Sequence, residues 1–75
     1  MSFGNAQPGL GKAVRVLRNR AGLSRAELAV RAELDATSVS RIEAGAIDPT
    51  WGSMRRIAKG LGVSLRELAE EAERQ

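Results

Sequence analysis

The sequence predicts an all-α domain built from five helices. Five segments carry apolar residues at the 3.6-residue spacing of a helix, and each is bracketed by helix punctuation, with Ser, Thr or Asp before it or Gly after it. No stretch reads as a strand. The first helix runs over residues 10–21, with Leu10, Val14 and Leu17 at i, i+4 and i+7 and Gly22 as its stop. The second opens on "SRAE", where Ser24 caps and Glu27 reaches back to form a capping box. Its buried stripe is Leu28, Ala29 and Ala32. The third has Asp35 as N-cap, buries Val39 and Ile42, and stops at Gly45. After the loop "AIDP", Thr50 caps a fourth helix that buries Met54, Ile57, Ala58 and Leu61 and ends at Gly62. "SLRE" at 64–67 is a second capping box and opens the last helix, whose stripe is Leu65, Leu68, Ala69 and Ala72. Short connections suit one compact bundle. Residues 1–9, "MSFGNAQPG", read as a flexible N-terminal tail, and residues 10–75 as the single domain.

Composition removes several classes of function. There is no Cys and no His, so disulfides and the usual zinc sites are excluded, and no cofactor is expected. An enzyme would have to work with Ser, Lys or carboxylates. The acids are scattered or sit at helix starts, and Ser24, Thr50 and Ser64 are caps first. "GLGK" at 9–12 lacks the spacing and the preceding strand of a phosphate loop. The chain therefore reads as a non-enzyme. Apolar runs are only two or three residues long, too short for a membrane span, and the N-terminus has no signal-peptide pattern. The absence of Cys fits a cytoplasmic location.

Charge is unevenly placed. Residues 1–26 hold five basic groups (Lys12, Arg15, Arg18, Arg20, Arg25) and no acid. Residues 1–60 carry a net +5 and residues 61–75 a net −2. A basic body suits a polyanion partner, and an ordinary solvated surface has the same appearance. The third helix narrows the choice. Opposite Val39 and Ile42 it presents Thr37, Ser40, Arg41 and Ala44, which are two hydroxyls, a methyl and one Arg in place of long Glu and Lys side chains. That face is slim, as a face that enters a groove must be.

The second and third helices are joined by the tight link Ala32-Glu33-Leu34, a helix, short turn and helix. Here the sequence resembles the Cro/CI phage-repressor-like (XRE-type) helix-turn-helix family across residues 10–68. The resemblance is carried by "GLSRAELA", "SVSRIEAG", "DPT" and "RIAKGLGVSLREL" in that order and spacing. It implies a five-helix lambda-repressor-like helix-turn-helix domain that lays its third helix, about 35–44, in the major groove of double-stranded DNA. Carried over by position, Ala36, Thr37, Ser40 and Arg41 are the side chains that read bases. Arg41 is either bidentate to guanine or set on a phosphate. Phosphate contacts fall on Ser24, Arg25, Ser38, Thr50 and Ser53, with backbone N–H groups at the start of the fourth helix. The resemblance also implies a structural ion pair between Arg18 and Glu43. Two residues depart from the family pattern. Glu33 stands at a turn position usually held by Gly, so either φ stays negative or strain is accepted. Arg25 stands where Gln is common, and a cation there opposes the helix dipole unless an anion neutralises it.

One bidentate base contact is worth about 1–3 kcal/mol, short of the roughly 4–10 kcal/mol of specificity a regulator needs. A homodimer on a palindromic operator is therefore expected. Its seam is expected on the last helix and the end of the fourth, using Leu65, Leu68 and Ala72, residues that also have a place in the monomer core. Trp51 serves core or dimer packing, or lies against the DNA backbone. Arg15, Arg20, Arg55, Arg56 and Lys59 read as solvated cations, and Val16 and Val30 as exposed. The expected function is a transcriptional regulator, acting by blocking or recruiting RNA polymerase. The alternative is an adaptor or antitoxin whose partner is a cognate protein, a toxin or sigma factor, bound through the same fold.

Overall fold

The computed structural model describes residues 8–75, and every regular element among them is an α-helix: α1 (Pro8–Arg20), α2 (Arg25–Ala32), α3 (Ala36–Glu43), α4 (Trp51–Leu61) and α5 (Leu65–Arg74). The expected tail over 1–7 lies outside the described residues. Positions 8 and 9 are not tail but the first turn of α1. A proline needs no N–H partner at a first helical position. A Cβ on Gly9 would fall 2.6 Å from the Ala72 carbonyl oxygen, so only glycine lets the start of α1 lie this close to α5.

Local chemistry sets the ends of the helices. Ser24 and Ser64 each accept from the backbone N–H three residues on, while Glu27 and Glu67 accept from the two cap N–H groups, closing both capping boxes. Asp35 and Thr50 cap α3 and α4 by the same side-chain acceptance. The C-terminal sides of α1 to α4 share one device: an N–H five residues on bonds back into the last turn, as Leu23 N–H does to the Arg18 carbonyl. This needs a left-handed residue. Gly22, Gly45 and Gly62 supply it at φ near +70°, and at the end of α2 Glu33 supplies it at φ 56°. The departure at Glu33 therefore resolves as accepted strain.

In packing, α1 lies along α5 and α3, and α2 lies along α4 and α3. The core between them includes Val14, Leu28, Val39, Ile57 and Leu68, each fully buried. Burying a side chain of that size contributes about 1.5–3 kcal/mol. α1 approaches α3 closely because Gly11 has no side chain; a Cβ there would meet the carbonyl oxygens of Ile42 and Glu43. Met54, Leu65 and Ala72 pack against the core while partly exposed, and Ala69, expected on the buried stripe, is exposed. The inward face of α5 is centred on Leu68 and takes in Glu71 instead.

Candidate nucleic-acid interface

The turn Glu33–Asp35 sets α3 across the end of α2, and the Asp35 carboxylate accepts the Ser38 N–H at 2.7 Å. That bond holds the Asp35 carboxyl below the usual range. Val39 and Ile42 turn inward, with 1% and 3% exposure. The outer face is left open: Ala36, Thr37, Ser40 and Arg41, with Ala44 and Ala46, line one shallow hollow. No other element stands over these side chains, and Arg41 takes part in no ion pair among the described residues.

Behind that face stands Glu43, almost wholly buried. Arg18 Nε donates to its Oε2 at 2.6 Å and Arg18 Nη2 to Oε1 at 3.1 Å, the bidentate fork of a guanidinium on a carboxylate. Arg18 Nη1 donates to the Leu23 carbonyl at 2.9 Å, so the loop after α1 is tied in as well. Arg25, the first residue of α2, adds Nε to Oε1 at 3.0 Å with its side chain about half exposed. A single carboxylate thus joins α1, α2 and α3, and the cation that opposes the α2 dipole already has an internal counter-charge. No buried side-chain polar atom among the described residues lacks a partner.

The third part of the site is the start of α4. Thr50 Oγ1 accepts the Ser53 N–H and donates to Ser53 Oγ, both at 3.0 Å. Both roles of the Thr50 hydroxyl are therefore taken. The N–H groups of Trp51 and Gly52 precede the first intrahelical bond and are free to meet an anion.

A family model described as a helix-turn-helix domain matches residues 10–72. The chain belongs to the helix-turn-helix domain family. No curated protein matches in sequence. Among solved structures, the helix-turn-helix chain is similar to the restriction-modification controller protein C.AhdI from Aeromonas hydrophila, at 31% identity and TM-score 0.81 over 83% of this chain and 94% of that one. It is also similar to the clp gene regulator ClgR from Corynebacterium glutamicum, at 25% identity and TM-score 0.85 over 89% and 71%. A point mutant of the restriction-modification controller protein C.Esp1396I superposes with TM-score 0.85 at 29% identity, over 97% and 92%. Family and fold place this helix-turn-helix chain among DNA-binding transcription regulators, of the XRE-like kind.

On this helix-turn-helix scaffold the structure brings Ala36, Thr37, Ser40 and Arg41 to one face. Ser38 is half-buried at its flank. Ser24 is exposed, with its hydroxyl oxygen accepting from Glu27 N–H at 3.0 Å. Three expectations are corrected. Leu68 is fully buried in the protomer and has no surface left for a dimer seam. Trp51 is 66% exposed, so its core role is excluded, although it stands seven residues before Ala58 on the same side of α4. Arg20 is not simply solvated, since it reaches Glu71 at 3.2 Å. Glu71 is 3% exposed and also takes Arg74 at 3.1 Å and Gln75 at 2.7 Å. Sequence reasoning missed it. The signal was its place three residues after Leu68, on the inward face of the last helix.

Proposed function

We propose that the protein is a sequence-specific double-stranded DNA-binding transcription regulator that lays α3 in the major groove of a palindromic operator as a homodimer. The observation that carries this reading is the outer face of α3: small hydroxyls and methyls around Arg41, which forms no ion pair among the described residues, with Glu43 clamping the helix from behind. Such a face is slim enough for close approach, and the clamp means no ordering cost falls on the reading helix at binding. Arg41 is assigned to guanine O6 and N7, Thr37 and Ser40 to base-edge hydrogen bonds, and the Ala36 methyl to thymine. Arg25, Ser24, Ser38 and Ser53 position the duplex through phosphates, with Trp51 and Gly52 N–H groups beside them, while the Thr50 hydroxyl, expected there too, is occupied by Ser53 and serves as the cap.

The homodimer follows from the energetics of a single base-reading Arg. With Leu68 buried, the seam is assigned to the exposed remainder of the same surface. This is an apolar groove between the start of α1, α4 and α5, lined by the buried Leu10 and the more open Met54, Ala69 and Ala72. Half-sites one helical turn apart, about 34 Å, then face both reading helices. The named relatives are a restriction-modification controller and a clp gene regulator, and gene regulation is the part of their description carried to this chain; action by blocking or recruiting RNA polymerase in the cytoplasm is our own reading. The test is fluorescence anisotropy with a random-sequence duplex over a salt series. Contact with about 6–10 phosphates per dimer weakens binding roughly 10³–10⁵-fold between 50 and 200 mM salt. Absence of binding at low salt would overturn the DNA reading in favour of a protein-binding adaptor.

A further inference from the structure

α4 carries a charge pattern that its own neighbours do not use. Arg55, Arg56 and Lys59 are all exposed and, with Gly52, line one hollow on the solvent side of the helix. At 3.6 residues per turn they lie away from Ile57, Ala58 and Leu61, which face the core. None of the three is in an ion pair among the described residues, whereas Arg18, Arg20, Arg25 and Arg74 all are. The arrangement is unfavourable for an isolated helix. Lys59 follows Arg55 by four residues and Arg56 by three, the spacings at which like charges repel. α4 also contains no acid to offset the positive end of its dipole.

We propose that Arg55, Arg56 and Lys59 form a second track for the phosphate backbone of duplex DNA, holding DNA that flanks the half-site read by α3. This rests on the DNA-binding reading above and extends it to a surface where no base is read. Two observations favour a nucleic-acid backbone over an acidic protein surface. The stripe begins at Gly52, on the α4 end whose first N–H groups precede the intrahelical bonds, and continues about 10 Å along the helix to Lys59. No apolar side chain lies within it, whereas protein interfaces are anchored by apolar or aromatic groups at their centre. Phosphate contact needs only charge and N–H donors.

The test compares salt dependence in three proteins on one random-sequence duplex of about 40 base pairs. The first is the wild type. The second carries Arg55→Gln, Arg56→Gln and Lys59→Gln. The third removes the same charge from exposed positions on α1 and α5, with Lys12→Gln, Arg15→Gln and Arg66→Gln. Each phosphate contact contributes about 0.9 to the slope of log affinity against log salt, or roughly 3.5-fold between 50 and 200 mM. The α4 variant is expected to lose about two to three units of slope per protomer and the α1/α5 variant less than one. Circular dichroism checks that both remain folded. An α4 variant with the wild-type slope would overturn the proposal and leave the stripe to a protein partner. An equal loss in both variants would also overturn it, because net charge alone would then explain the effect. A wild type that binds no DNA at low salt fails the DNA reading itself, a result distinct from either.

Discussion

At the scale of single residues, the site is organised by where each guanidinium finds its counter-charge. Arg18 is spent on Glu43 and the Leu23 carbonyl, and Arg20 gives one nitrogen to Glu71 while most of its side chain stays exposed. Arg25 gives Glu43 its Nε and stays half exposed, which leaves the outer nitrogens for a phosphate. Arg41 makes no ion pair among the described residues and adds only a lesser pull on the Asp35 carboxylate. These differences separate two variants. Arg41→Ala is expected to flatten preference among operator variants by about 1–3 kcal/mol, while Arg25→Ala weakens binding to all sequences alike and lowers the salt slope by about one. Competition titrations with matched and mutated duplexes read both, and the reverse pattern would exchange the two roles. Glu33 makes a prediction about stability alone. A side chain at φ 56° costs about 1 kcal/mol relative to glycine, so Glu33→Gly is expected to raise the unfolding free energy by that amount in urea melts. A loss of stability would show that the Glu33 side chain outweighs the strain.

At the scale of the helix, α3 is a short element whose position is set from both ends. Asp35 secures its start, and Glu43, in its last turn, is held by the two arginines. The Ser38 N–H holds the Asp35 carboxyl low, and the Ser24 N–H does the same for Glu27 at the start of α2. A carboxylate whose pKa is depressed by folding stabilises the native state above its unfolded pKa and loses that contribution as pH falls through the folded value. The caps of α2 and α3 should therefore weaken as pH drops below about 4. Asn caps without titrating in this range. Asp35→Asn is expected to show a smaller fall in Tm between about pH 5 and 2 than the wild type, and an identical fall would remove the cap carboxylate from the acid response.

At the scale of the whole molecule, the division between core and seam runs through α5. Leu68 belongs to the protomer, and the exposed groove beside it belongs, in our reading, to the dimer. Leu68→Ala is expected to cost about 2–5 kcal/mol of stability. Ala69→Glu and Ala72→Glu, on the partly open side, should shift the sedimentation coefficient from dimer to monomer at micromolar concentration with a far smaller change in Tm. A dimer that survives both substitutions would place the seam elsewhere. The five helices, their caps and most of the core were legible before any coordinates. Each rests on patterns within some four residues: Ser24 with Glu27, Asp35 with Ser38, and Val39 with Ile42. Glu71 had a signal in its place three residues after Leu68, but its ion pairs and the exposure of Ala69 were not legible, because the rotation of α5 about its axis depends on what α1 presents to it.

Five helices, a helix-turn-helix link and a slim outer face on the third helix are written in the local sequence. They follow from hydrogen bonding and apolar periodicity, which act over one or two turns. Which arginines find a carboxylate within the protein is settled by packing. Arg18, Arg20 and Arg25 were drawn to carboxylates 18 to 51 residues away in the chain. Arg41, Arg55, Arg56 and Lys59 were left facing outward, without an ion-pair partner among the described residues. The reason is that ion pairing is set by distance in space. Until the helices are packed, every cation along the chain is equivalent.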